Sequence, residues 1–185
     1  ELRHGRILTE HKFGSVTDGQ SMSFGFDDVA TVSGLKVGWR FPLGDRLTFG
    51  PMLAYYGEGV SARASGVYEP EAVAASVSYR ETQAITAGLQ LGIDVGNGWF
   101  VYGEAGYVCQ EIEIRGQATM ASLQVSGDKT AYPFGLYGEI GAAKALGPHA
   151  YVAGALQGRR YEHTDGAMTA DRSDVSLWVG VGLRW

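Results

Sequence analysis

Val175-Ser176-Leu177-Trp178-Val179-Gly180-Val181-Gly182-Leu183-Arg184-Trp185 closes the chain, and in it Val175, Leu177, Val179, Val181, Leu183 and Trp185 occupy every second position. A repeat of two is the period of an extended strand, whose successive side chains point to opposite faces. One face of this strand is therefore apolar throughout, while the other carries small residues, Trp178 and Arg184. Five further stretches read the same way: Thr31 to Phe41, Leu47 to Tyr55, Ile85 to Val95, Trp99 to Cys109 and Tyr132 to Ala142. No residue on these six faces has a formal charge. The opposite faces carry Lys36, Arg40, Glu58, Arg80, Asp94, Glu104, Glu139 and Arg184, separated mainly by glycine, alanine, serine and threonine.

Alternation alone does not say which face meets solvent, since a soluble β-sandwich shows it too. Three other features decide. The alternation near residues 77–95 outruns the ~5–6 residues of an ordinary soluble strand and reaches the ~9–11 that a tilted membrane strand needs. Tight turns at Pro42-Leu43-Gly44-Asp45, Gly96-Asn97-Gly98 and Gly147-Pro148-His149 alternate with long polar connections near 14–29, 60–76, 111–129 and 162–174. Aromatic residues gather at strand ends, with Trp39, Phe41, Trp99, Tyr151 and Trp185 by the short turns and Tyr55, Tyr107 and Tyr132 toward the long connections. Together these are the marks of an outer-membrane β-barrel.

Lipid offers no hydrogen bonds to an open sheet edge, so such strands must close into a ring. Counting back from Trp185 places strands near 171–185, 150–162, 130–146, 99–115, 77–95, 46–60 and 30–41, with an eighth at 2–13. The eighth is the least apolar, because Glu1, Arg3, His4, Arg6, Glu10, His11 and Lys12 crowd it. The expected fold is a single all-β domain over 1–185: an antiparallel, up-and-down, eight-stranded transmembrane barrel with both termini on the periplasmic, short-turn side. Eight strands leave room inside for side chains only. The charged residues of the inner faces are thus expected to pair as a lumen network of Lys36, Arg40, Glu58, Arg80, Asp94, Glu104, Glu139 and Arg184.

The remaining composition excludes other classes. In 185 residues there are 28 glycines and 45% hydrophobic against 19% charged residues, which is not a disordered composition. A net charge of −5 supplies no basic field for nucleic acid, so no nucleic-acid partner is expected. Cys109 is the sole cysteine, which excludes an intrachain disulfide framework and a multi-cysteine zinc site. Phosphate-loop, H-E-x-x-H and C-x-x-C patterns are missing, and no cofactor or metal is expected.

Several short blocks carry a family likeness. Gly34-Leu35-Lys36-Val37-Gly38-Trp39-Arg40-Phe41, Leu43-Gly44 and Leu47-Thr48-Phe49-Gly50-Pro51-Met52-Leu53-Ala54-Tyr55 resemble the autotransporter β-domain, in which a G-Y-R-F-type strand end precedes an L-G turn and a second strand. Gly88 to Asp94, Tyr102 to Tyr107 and Val181 to Trp185 extend the likeness, and Gly5-Arg6-Ile7 with Thr17-Asp18-Gly19 is similar to the esterase-type branch. The resemblance implies a membrane anchor or translocator domain with a secreted passenger upstream. Because the family's barrel has twelve strands and a pore helix, the chain would be either the C-terminal two thirds of such a barrel or an eight-stranded relative. The alternative function is a small barrel that acts on lipid A or serves as a structural or adhesive surface protein. Gly180, Leu183 and Trp185 look like the terminal sorting signal read by the barrel-assembly machinery, and outer-membrane lipid and lipopolysaccharide are the other expected partners.

No enzyme activity is expected from this chain, since the family's G-D-S nucleophile block is lacking. Tyr161-Glu162-His163-Thr164-Asp165 is the nearest approach to chemistry, because lipid A deacylases place a histidine and a serine on the outer rim. The serine position is Asp165, so Ser173 or Ser176 would have to serve, and a solvated loop histidine fits better. His149 reads as a turn residue, His4 and His11 fall on opposite faces, and Cys109 reads as a small apolar residue. Glu69, Glu71, Asp128, Asp165, Asp171 and Asp174 read as solvated loop acids, able at most to hold cations that bridge lipopolysaccharide.

Overall fold

A computed structural model describes residues 1–17, 20–59, 61–68, 73–120, 123–165 and 168–183, with side chains described at 1–6, 8, 30–57, 59, 61, 76, 78, 80–117, 126–161 and 173–183. Every regular element among them is a strand. Taken as staves, β1 is Leu2–Thr17, and β2 is Gln20–Gly38, resumed at Phe41–Pro42. Stave β3 joins Leu47–Glu58 to Ser61–Tyr68, β4 is Val73–Gly96 and β5 is Trp99–Met120. Stave β6 joins Leu123–Ala131 to Phe134–Ala145, β7 is Ala150–Asp165 and β8 is Met168–Leu183.

Each stave pairs antiparallel with its neighbours in sequence, and β1 pairs with β8 from Leu2↔Val181 to Ser15↔Met168. The ring therefore closes within this chain on eight staves, and no place is left for the four further strands of a twelve-stranded barrel. Closure fixes the stagger. Stepping from Lys36 through its partners Ala54, Thr86, Val108, Gly135, Tyr161, Arg172 and His11 returns to β2 at Phe26, ten residues from the start. With ~3.3 Å per residue and ~4.8 Å between strands, that stagger tilts the staves by about 41°.

The alternating sequence now has a direction. Leu35, Leu53, Leu89, Leu91, Val101, Ile140, Leu156, Leu177 and Val181 all point outward and are exposed, Ile140 by 66%. The core is the lumen, where Val32, Tyr56, Tyr102, Val108, Tyr137, Tyr161 and Trp178 are buried. Burying such a girdle in lipid satisfies the exterior only if every backbone group is paired within the wall, which the closed ring provides. Between β4 and β5 the chain reverses through Asn97 (φ 52°) and Gly98 (φ 73°), the left-handed pair that an Asn-Gly turn adopts with least strain.

Two expectations are corrected. Residues 14–29, 60–76, 111–129 and 162–174 are largely paired backbone and not loops: the ladders run on to Thr17↔Gln20, Tyr68↔Val73, Met120↔Leu123 and Asp165↔Met168. Above the lipid band both faces of a strand can be polar, so the period vanishes from the sequence while the hydrogen bonding continues. There the ring also splits. The β2–β3 pairing reaches only Val32↔Glu58 and the β6–β7 pairing only Tyr161↔Gly135, leaving β7–β8–β1–β2 and β3–β4–β5–β6 as two four-stranded sheets above the barrel.

The second correction is a β-bulge in β4 between Glu81 and Gln83. One extra residue reverses the facing of everything beyond it. Below the bulge the even positions Ala84, Thr86 and Gln90 are buried, whereas above it Glu81 is buried and Arg80 is exposed. Arg80 is accordingly outside the lumen, contrary to the expectation from unbroken alternation.

Candidate functional site

The chemistry-bearing residues of this chain converge in the lumen. Arg3 on β1 is directed inward by its odd parity and is 3% exposed, between Gly34 and Gly180 on the neighbouring staves. Its Nη1 and Nη2 donate to the two carboxylate oxygens of Glu139 on β6 at 2.6 and 2.8 Å, a fork-on-fork pair across the barrel. Nη2 also reaches Tyr102 Oη at 3.2 Å, and Nε donates to Glu1 Oε1 at 2.9 Å. Lys36 Nζ donates to Glu139 Oε1 at 2.9 Å and forms an ion pair with Glu104 Oε2.

The second carboxylate is held as fully as the first. Tyr137 Oη donates to Glu104 Oε1 at 2.6 Å and Gln90 Nε2 donates to Oε2 at 3.2 Å. Gln157 Nε2 completes Glu139 at 3.0 Å. Arg3 and Lys36 are thus matched to the carboxylates of Glu139, Glu104 and Glu1, with neutral donors filling remaining lone pairs. That is the condition under which charges tolerate removal from water.

Above this layer lies an aromatic one. The Trp178 and Tyr56 rings stand 4.7 Å apart between centroids, and Trp178 Nε1 donates to Ser176 Oγ at 2.8 Å. Trp178 needs space on the adjoining stave β1, where its register partner is Gly5. Gly5 supplies it: a Cβ there would come 3.1 Å from Trp178 Cε3 and 2.2 Å from the Leu177 carbonyl oxygen. Next come Arg159, whose Nε donates to Asp174 Oδ1 at 2.8 Å, and Gln110, whose Nε2 donates to Glu81 Oε2 at 2.8 Å. At the short-turn end Arg40 donates to Gln90 Oε1 at 2.9 Å and lies 4.3 Å from the Phe100 ring centroid. From Arg40 to the Arg159–Asp174 pair the lumen is occupied by the described side chains.

Of the eight charged residues expected inside, Lys36, Glu104 and Glu139 meet, and Arg40 stands at the mouth. Asp94 does not join them; it is exposed at the turn and accepts from the Gly96 amide at 2.8 Å. Arg80 is turned out by the bulge. The Glu58 side chain and Arg184 lie outside the described residues. Arg3, Glu81, Arg159 and Asp174 were not in that set, although the inward parity of Arg3 and Arg159 is visible once β1 and β7 are accepted as staves. Asp174, expected as a loop acid, is instead a buried ion-pair partner.

The other candidates scatter. Ser173 faces outward and is exposed, whereas Ser176 is buried in the lumen, so only Ser173 shares the rim; the His163 side chain lies outside the described residues. His149 is exposed in its turn, and Cys109 is half-buried on the outer face. His4 faces outward with its Nδ1 2.9 Å from Ser33 Oγ, and the side chain of His11 is outside the described residues. Asp128 is exposed; Glu69 and Glu71, and the side chains of Asp165 and Asp171, are outside the described residues. No group of three metal-ligating side chains occurs among the described residues. Gly180 is buried against Glu1 and Leu2, Leu183 is 69% exposed on the outer face, and Trp185 lies outside the described residues.

No protein-family model matches the chain, and no curated protein matches its sequence. Solved structures do. The outer membrane protease OmpT from Escherichia coli aligns over 99% of this chain and 96% of its own at 8% identity, with a TM-score of 0.64. The outer membrane protein OprG from Pseudomonas aeruginosa aligns over 98% and 95% at 15% identity, with a TM-score of 0.53. The translocator domain of the autotransporter NalP from Neisseria meningitidis aligns over 100% and 88% at 13% identity, but with a TM-score of only 0.35. The fold is that of a bacterial outer-membrane β-barrel.

Proposed function

We propose that the chain is a small outer-membrane barrel whose work is done above the membrane, as a structural or adhesive surface protein, and not a conduit for a passenger. The observation that carries this reading is the junction of a filled lumen with two paired sheets that project beyond it. An eight-stranded ring has an interior the width of its own side chains. Here the Arg3–Glu139 and Lys36–Glu104 pairs span it, so a translocated polypeptide or a pore helix would have to displace a satisfied charge network.

The projecting sheets supply the binding chemistry. Among the described residues the Leu123–Ala131 segment pairs only with β5, and Ser126, Gly127, Asp128, Lys129 and Thr130 along it are exposed. A strand edge with unpaired amide and carbonyl groups is a template for an extended segment of another protein, and Asp128 and Lys129 make indiscriminate pairing less favourable. Both ends of the described chain lie with the short turns, which this reading places in the periplasm. No catalytic step is assigned to the chain.

Planar-bilayer recording on purified protein tests the lumen half of the proposal. The expected trace is free of steady porin-sized conductance; a stable open channel would refute it. Display on cells tests the other half: shortening the β5–β6 ladder above Ile112 should abolish attachment to protein-coated surfaces while leaving the heat-modifiable barrel intact. Unchanged attachment would remove the adhesive function.

A further inference from the structure

Arg6 stands out on the exterior. It faces outward on β1, is exposed, and makes no hydrogen bond or ion pair among the described residues; its partner on β8 is Leu177, and the next outward pair above is Leu8 with Val175. Directly opposite on β2 is Thr31, also exposed, and paired side chains at such positions lie ~4.5–5.5 Å apart at Cβ. The next pair below, His4 and Ser33, is satisfied internally at 2.9 Å and makes no demand on the guanidinium.

We infer that Arg6 and Thr31 form a binding site on the β1–β2 seam for the phosphate of a lipid headgroup in the outer leaflet. Depth and charge argue for it together. Leu8, 59% exposed, is one outward position above Arg6. Two residues of a stave tilted by about 41° rise only ~5 Å. An extended arginine spans that rise with its stem along the apolar wall and its head at the headgroup level. There the planar guanidinium matches phosphate oxygens in a bidentate manner, and the Thr31 hydroxyl adds a donor. A second copy of the chain is the poorer occupant, because an isologous contact would oppose Arg6 to Arg6. The described outward side chains of β8, β1 and β2 include no carboxylate to relieve that repulsion.

Electron spin resonance of spin-labelled lipids in phosphatidylcholine vesicles containing the refolded barrel tests the site. Labelled phosphatidic acid should be retained at the protein surface over labelled phosphatidylcholine, and Arg6→Gln should reduce the preference by about fivefold, the equivalent of one charge-assisted contact. Arg6→Gln removes a charge from the lipid face, so folding is not at risk, and gel mobility before and after heating confirms it. Arg46→Gln, in the exposed turn at the other end, should leave the preference unchanged. Inorganic phosphate added outside at matched ionic strength should not compete if the ligand is held from the lipid side. Equal preference in Arg6→Gln and the parent, an effect of Arg46→Gln as large, or competition by inorganic phosphate would each overturn the assignment.

Discussion

Glu139→Leu is the most informative single perturbation of this barrel. In the parent the carboxylate accepts four hydrogen bonds, two from Arg3, one from Lys36 and one from Gln157, all at 2.6–3.0 Å and none reached by solvent. Lys36 keeps its pair with Glu104 in the variant, and Arg3 keeps only Glu1 and Tyr102. A guanidinium at 3% exposure is then left without its bidentate partner, a loss expected to cost ~3–5 kcal/mol. Removing both members should cost far less. Arg3→Met with Glu139→Leu replaces an ion pair by apolar groups of similar volume, which is commonly neutral within ~1–2 kcal/mol. The assay is reversible urea unfolding in lipid vesicles for parent, both single variants and the double variant, followed by circular dichroism and by the heat-modifiable gel shift. A coupling energy near zero, or a double variant as unstable as Glu139→Leu, would refute the claim that the lumen is organised by mutual satisfaction of these charges.

Trp178→Ala empties the centre of the aromatic layer and should lower the unfolding free energy by ~3–5 kcal/mol in the same assay, since the ring is 1% exposed and packed at a tilt against Tyr56. Gly5→Val should be worse tolerated than Gly127→Val: the Gly5 Cβ meets the Leu177 oxygen at 2.2 Å, whereas that of Gly127 meets nothing within 4 Å, so refolding yield should fall only for the first. Deleting Thr82 removes the bulge and makes Glu81↔Ile112 and Gln83↔Glu111 consecutive pairs, so Arg80 should stay outward and Glu81 inward, detected as undiminished labelling of an Arg80→Cys probe by a water-soluble thiol reagent in a Cys109→Ala background; protection of the probe would refute the assignment of Thr82 as the inserted residue. Trp185→Asp places a charge at the periplasmic interface for ~0–1 kcal/mol, too little to unfold the barrel. It should therefore block assembly in cells while sparing refolding in detergent, and normal surface levels would end the sorting-signal reading.

The division of labour between sequence and tertiary structure follows from the range of each interaction. Local alternation determined the exterior: from Ile85 to Val95 or Val175 to Leu183 each apolar residue is read from its own neighbours, and lipid on one side makes the pattern unambiguous. The Asn97-Gly98 turn was equally legible, because left-handed φ values restrict residue choice on the spot. The upper ladders were not, since Ser126 to Thr130 are exposed whatever their parity and need no period to remain a strand. The lumen depended on closure. Arg3 meets Glu139 only because a ten-residue stagger brings β1 and β6 to the same height, a quantity fixed by the whole ring and recorded in no single strand. One bulge at Thr82 was enough to send Arg80 out and Glu81 in, because a period of two carries no memory of phase across an inserted residue.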